Sequence, residues 1–160
     1  KTGKNNESEA NIVAQIVEKI KINGLSEKNG SLNLGIITPW RAQIATIKQK
    51  LEEIGITGVP VDTVERFQGS ENRVIIYSTS VSNHFQLERL GSIGINRSTE
   101  AEVEVDRKLN VVLSRAQEQI IILGSVSVLR TSQHYKKVLE TIIRGGRFVA
   151  ASERVNIFGT

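Results

Sequence analysis

Leu32-Asn33-Leu34-Gly35-Ile36-Ile37-Thr38-Pro39 is the stretch that decides the fold. Its centre, Leu34 to Ile37, has no polar position, so both faces must be covered; a short apolar run of this kind, closed by a proline, reads as a strand of a parallel sheet. Immediately after it, Trp40, Ile44, Ile47, Leu51 and Ile54 step by four, three, four and three. That is the seam of an amphipathic helix, which Gly55 ends. A second strand is expected at about Val59 to Val64, across another glycine-containing turn. Strand, turn, helix, strand is the building unit of an open α/β sheet.

The same reading extends in both directions. Upstream, Ile12, Val13, Ile16, Val17 and Ile20 recur at helical spacing, which predicts a helix from about Glu7 to Ile22. Lys1 to Asn6 are expected to fray, Asn23-Gly24 to stop the helix, and the polar run Ser26 to Ser31 to form a loop. Downstream, Val74-Ile75-Ile76-Tyr77 and Ile120-Ile121-Ile122-Leu123 predict two more strands, over Arg73 to Ser80 and Gln119 to Gly124, again with no alternation and so again covered on both faces. Helices are expected near Arg107 to Ala116 and His134 to Arg144. Between Ser82 and Asp106 glycine, serine, asparagine and charges predominate, broken at Ile93 and Ile95; this reads as a long loop, functional or mobile. Residues 151–160 read as a tail. The expected fold class is α/β, an open, mainly parallel sheet sandwiched by helices, over residues 7–150.

With 160 residues and 39% apolar content, the chain is large enough for one core and one domain. No apolar run approaches the roughly 20 residues that span a bilayer, and no secretory leader pattern is present. A cytoplasmic location and no membrane partner are expected. Cysteine is absent and the two histidines, His84 and His134, lie far apart, so neither a disulfide framework nor a structural metal is expected. The chain starts at lysine and lacks methionine, and its simplest description is a fragment of a longer polypeptide. A net charge of +4 and a sequence pI near 9.5 are compatible with an anionic partner and equally with an ordinary lysine-rich surface.

No glycine-rich loop ending in Gly-Lys-Ser/Thr occurs, nor an acidic pair following a strand, so a self-sufficient nucleoside-triphosphate site is not expected. Three segments stand at the ends of expected strands, where α/β proteins bind ligands: Ile36 to Gln43, Val61 to Glu71, and Arg107 to Ala116. In the third, at about 100° per residue, Leu109, Val112, Leu113 and Ala116 gather on one helix face while Asn110, Ser114 and Arg115 project from it.

In order and spacing the segments Ile36-Ile37-Thr38-Pro39-Trp40-Arg41-Ala42-Gln43, Val61-Asp62-Thr63-Val64-Glu65-Arg66-Phe67-Gln68-Gly69-Ser70-Glu71 and Arg107-Lys108-Leu109-Asn110-Val111-Val112-Leu113-Ser114-Arg115-Ala116 resemble motifs IV, V and VI of superfamily 1 helicases. The resemblance is to the 1B branch that holds the nonsense-mediated-decay helicase and its DNA-helicase relatives, and it covers roughly Glu7 to Phe148. It implies a P-loop-NTPase, RecA-like second domain whose first RecA-like domain is absent here. It implies ATP with Mg2+ as cofactor, bound mainly by that first domain, and single-stranded nucleic acid as partner, DNA in preference to RNA, gripped without regard to base sequence.

By the same resemblance Arg115 is the catalytic arginine finger on the γ-phosphate, a role that suits a permanently charged, bidentate guanidinium. Glu71 accepts from the ribose, Gly69 lies against the nucleotide, and Gln43 belongs to the nucleotide set. Thr38, Pro39, Thr63 and Val64 meet the nucleic-acid backbone, where hydroxyl and N–H groups position without reading bases. Each residue also has a plain alternative. Arg115 alone would read as a solvated helix arginine, Glu71 as a charged turn residue, Thr63 as strand filling, and Trp40 as core packing in preference to a stacking platform. Two positions depart from the family pattern: Ile44 stands where some relatives have an arginine, for which Arg41, about one helical turn away, is a substitute that otherwise reads, and reads better, as an exposed helix charge, and Glu65 stands for an aspartate. The whole implies the C-terminal motor domain of an ATP-dependent DNA or RNA helicase, inactive as an isolated piece. A non-catalytic RecA-like module that docks nucleic acid or a protein is the rival, and a free-standing nucleotide-binding domain is a third.

Overall fold

The computed structural model describes residues 5–24, 32–67, 70–96 and 105–150. Helix α1, Glu7–Ile22, starts where Asn6 accepts the Glu9 N–H at 3.1 Å and carries Glu7 and Glu9 in its first turn and Lys19 and Lys21 in its last. Both features suit the unpaired amides and the dipole of a helix. Strand β1, Leu34–Ile37, is buried at all four positions and leads into α2, Arg41–Glu53. Strand β2, Val61–Asp62, and strand β3, Asn72–Ser78, follow. Then come α3, His84–Gly94, a two-stranded antiparallel ribbon of β4, Ile95–Asn96, with β5, Val105–Asp106, and α4, Arg107–Ser114. Strand β6, Ala116–Leu123, the short α5, Val126–Leu129, and α6, Gln133–Gly145, complete the chain as described.

The sheet has the order β2-β1-β3-β6 and every pair in it is parallel. Ile36 sits between Val61 and Ile76, and Ile76 between Ile36 and Ile121, so one row of β-branched side chains crosses all four strands. The fold is therefore the open parallel α/β sheet expected. Two buried clusters cover it, one on each face. The first joins Val13, Ile16, Val17 and Ile20 of α1 and Ile47 and Leu51 of α2 to Leu34, Ile36, Val74 and Ile76. The second joins Ile37, Ile75 and Tyr77 to Val64, Phe67, Leu87, Leu90, Leu109, Val112, Leu129, Tyr135 and Leu139. Alternation along the strands sends Ile36 and Ile76 one way and Ile37, Ile75 and Tyr77 the other.

Four expectations need correction. The stretch read as a loop over residues 82–106 contains α3 and the ribbon. Leu87 and Leu90, three residues apart, are buried, and Asn83 accepts the Gln86 N–H while Gln86 accepts the Ser82 N–H, at 3.0 and 2.7 Å. A cap and a minimal apolar pair, not a full stripe, make this helix. The helix expected over 107–116 ends at Ser114, and Ala116 already belongs to β6. Trp40 caps α2 and packs in the second cluster, so it does not share a seam with Ile47 and Leu51, while Ile54 is 41% exposed. Strand β6 is only half-buried because it is an edge strand with β3 as its one neighbour in the sheet. The expected frayed start falls mostly on residues 1–4, and that, the loop at 26–31 and the tail at 151–160 lie outside the described residues.

Candidate functional site

Parallel strands give the sheet two unlike edges, one carboxyl and one amino, and the candidate residues divide between them. At the amino edge, Glu71 immediately precedes β3 and Arg115 immediately precedes β6. The ladder begins here with the Asn72 N–H donating to the Arg115 carbonyl at 3.0 Å, which sets these two chain entries side by side. The Arg115 guanidinium donates to the Ser70 carbonyl at 3.4 Å and to Ser114 Oγ at 3.2 Å, and no carboxylate among the described residues pairs with it. Ser114 Oγ in turn donates to the Val111 carbonyl at 2.8 Å. Glu71 is exposed and accepts from Gln117 Nε2 at 3.3 Å. One cation with neutral partners and one solvent-facing carboxylate therefore share this edge. Gln68 and Gly69 lie outside the described residues.

Beside them Arg73 of β3 and Glu118 of β6 form a two-pronged ion pair, Nε–Oε1 2.7 Å and Nη2–Oε2 3.0 Å. The guanidinium holds the Glu118 carboxyl below its usual range. Two parallel N–H donors against two oxygens fix geometry as well as charge.

The carboxyl edge holds Thr38, Pro39, Arg41, Gln43, Thr63 and Val64. Thr38 is 0% exposed, and its hydroxyl has no hydrogen-bond partner among the described residues; its N–H donates to the Asp62 carbonyl at 3.1 Å. Pro39 is half-buried and Arg41 exposed. Thr63 is half-buried with its N–H turned onto Asp62 Oδ1 at 2.8 Å, and Val64 is buried in the second cluster. Gln43 is 0% exposed: Oε1 accepts the Asn6 N–H at 2.7 Å, and Nε2 donates to the Asn6 carbonyl at 3.1 Å and to Ser78 Oγ at 3.2 Å. Its amide ties α1 to α2 and β3. The nucleotide set expected from sequence is thus split by the sheet, with Gln43 and Arg41 at one edge and Glu71 and Arg115 at the other.

Trp40 sits at the carboxyl edge too, 6% exposed, donating its indole N–H to the Thr79 carbonyl at 2.9 Å, so it packs. Glu9 is the buried charge here, with Ser78 Oγ and the Ser80 N–H donating to Oε2 at 2.7 and 2.9 Å. Burial pushes its carboxyl above the usual range, and those two hydrogen bonds only partly offset the effect. Ser80 holds φ at 51°, in the left-handed region, with its N–H fixed by Glu9.

Thr63 to Phe67 follow β2 at the carboxyl edge and Ser70 precedes β3 at the amino edge, and α4 contributes to the same second cluster as Val64 and Phe67. Val64, Phe67, Leu109 and Val112 all belong to it. Phe67 is seated over Gly35, where an added Cβ would come within 2.7 Å of Phe67 Cε1 and 2.9 Å of Asn72 Oδ1. Lys108 at the start of α4 pairs with Glu65, whose carboxyl it pulls below the usual range.

Several of these partners were not singled out by the sequence. Asn6-Glu7-Ser8-Glu9 carries a capping signal, Asn followed three residues later by Glu, and that signal points to Glu9. Gln117, Ser70 and Lys108 carry no local signal, since their roles come from contacts made 46, 45 and 43 residues away in sequence, with Glu71, Arg115 and Glu65 respectively.

The AAA domain family matches residues 1–127. Among curated proteins, the chain is 32% identical over 122 residues to the RNA helicase Mov10l1 of Mus musculus, covering 76% of this chain. It is 30% identical over 129 residues to the DNA polymerase alpha-associated DNA helicase A of Saccharomyces cerevisiae, covering 79%. It is 31% identical over 153 residues to the probable helicase senataxin of Mus musculus, covering 92%. The matches span only 10%, 16% and 5% of those relatives' lengths.

Proposed function

This chain belongs to the AAA domain family, in its superfamily 1 helicase branch, and from that premise we propose that it is the second RecA-like motor domain of an ATP-dependent helicase. Its amino edge completes a nucleotide site whose phosphate loop is supplied by a first RecA-like domain, and its carboxyl edge lies along a single strand of nucleic acid. One observation carries the reading: Arg115 stands beside Ser70 and Glu71 at one sheet edge with neutral partners alone among the described residues, which leaves its charge to an incoming phosphate.

Arg115 is the arginine finger, Glu71 receives the ribose hydroxyls, and Gly69, two residues before Glu71 in sequence, lies against the nucleotide. A guanidinium in this position opposes the charge that builds on the transferred phosphoryl group, which is how such a finger accelerates hydrolysis. At the carboxyl edge Thr63, Val64 and the Thr38-Pro39 corner shape the floor for the strand, and their backbone groups and hydroxyls suit phosphate and sugar without selecting bases. Thr38 serves from beneath the surface, and Gln43 serves by fixing α1. Closure of the two domains on nucleotide and reopening after hydrolysis alternate the grip on the strand, driven by the difference in affinity between the two states. The relatives include helicases named for DNA and for RNA, so the DNA preference implied by the sequence is an outcome to be measured.

The test is Arg115→Ala in the two-domain protein. Nucleic-acid-stimulated ATP hydrolysis should fall by on the order of a thousand-fold, the range of an arginine finger, with ATP binding largely retained. Undiminished turnover removes the finger assignment. Binding of strand and nucleotide with no stimulated hydrolysis in the unmodified protein supports a non-catalytic docking module instead.

A further inference from the structure

We propose that the Glu65–Lys108 ion pair is a positioning device that couples the strand-gripping segment to the helix bearing Arg115; this rests on the motor-domain reading above. The geometry is a closed frame. One side is the stretch from Thr63 to Phe67, which leaves the carboxyl edge after β2, with Ser70 at the amino edge before β3, its N–H donating to the Phe67 carbonyl at 3.2 Å. The opposite side is α4, which runs back along the same face and ends beside Arg115 at the entry of β6. Glu65 and Lys108 close the frame at the carboxyl end, and the Ser70 carbonyl and Arg115 close it at the amino end at 3.4 Å.

Between those ties the two sides share one apolar cluster, to which Val64 and Phe67 contribute from one side and Leu109 and Val112 from the other. Apolar packing is non-directional, so it holds the two sides together but does not by itself fix how far one may slide along the other. Directional polar contacts at both ends fix that axial register. From Lys108 to Arg115 is seven residues of helix and turn, a span of about 10 Å at the helical rise, so a shift of the Thr63 segment when a strand is seated is passed along a rigid rod to the guanidinium. An exposed ion pair adds little to folding stability. Glu65 and Lys108 are 52% and 26% exposed at their side chains, so positioning, not stability, is what the pair has to offer.

The experiment uses the two-domain protein, with a poly-dT strand and a poly-U strand as probes, and reads basal hydrolysis, maximal stimulated kcat, KM for ATP and the half-saturating strand concentration. Glu65→Ala and Lys108→Met should each lower the stimulated kcat by on the order of three- to ten-fold, the scale of a residue-level coupling change. Basal rate, KM and half-saturation should stay near the unmodified values. Lys108→Arg should keep the stimulation, and the exchange Glu65→Lys with Lys108→Glu should recover most of it. Unchanged stimulation in both single variants overturns the proposal, as do losses that simply add and show no recovery in the exchange. If Arg115→Ala abolishes stimulation while these variants do nothing, only the coupling falls; if Arg115→Ala leaves stimulation intact, the motor-domain reading falls first.

Discussion

At Glu9, burial and hydrogen bonding pull in opposite directions, and burial wins. The residue is 6% exposed, and its pKa lies above the ordinary 4.5 even with Ser78 and the Ser80 N–H donating to the carboxyl. Between 4.5 and the raised native value the folded chain holds more of a proton than the unfolded chain, so stability falls as pH rises through that window. Below it both states are protonated, and above it the penalty is constant. Glu65 and Glu118 act with the opposite sign, since their depressed carboxyls give stability that is present above 4.5 and lost as pH falls. Replacing Glu9 by Gln should therefore flatten the decline of the urea midpoint as pH rises above 4.5 while leaving the acid-side loss in place. An unchanged slope in that window would mean that another group titrates there. At this scale the sequence shows which residues carry chemistry but not which edge they occupy. Gln43 and Arg115 both fit a helicase pattern, yet one amide is wholly used by Asn6 and Ser78 while the guanidinium rests on neutral oxygens.

Among the elements, β1 is the tightest fit, and Gly35 is the reason. Any side chain there meets Phe67, Asn72 and the Ile75 methyl within 3.0 Å, all of them held by the second cluster or by the strand ladder. Gly35→Ala should cost roughly 1–3 kcal/mol, as overpacked positions do, read as a lower urea midpoint at unchanged slope. Because Phe67 must yield, the Thr63 to Phe67 stretch should shift with it, and nucleic-acid stimulation should drop in the same variant. A change in stability with stimulation untouched would show that Phe67 adapts alone. Elements with dense apolar signals were legible before any coordinates: α1 was expected over the residues it occupies, and β1, α2, β3 and α6 within about two residues. Helix α3 was not, because two buried leucines and a cap are too sparse for a periodicity argument. The early end of α4 was missed for another reason. Ladder pairing to β3 claims Ala116, and tertiary pairing overrides local helical spacing.

In the whole molecule the sheet separates two cores with different duties. Helices α1 and α2 cover one face, while the other face carries α4, the Val64 to Phe67 turn and the helices that follow. The candidate chemistry at the amino edge is reached through the second core alone, since Arg115 is the continuation of α4. Leu51 of α2 and Leu109 of α4 make a matched pair for testing this division, each 3% exposed and one on each face. Trimming either to Val removes one methylene and should cost on the order of 1 kcal/mol, so the two variants should melt alike. Their effects on stimulated hydrolysis in the two-domain protein should differ. Leu109→Val loosens the packing that seats α4 against Val64 and Phe67 and should lower the stimulated kcat, whereas Leu51→Val should leave it near the unmodified value. Equal losses in kcat at equal losses in stability would mean that the two cores act as one cooperative body, with the site sensitive to stability wherever it is lost.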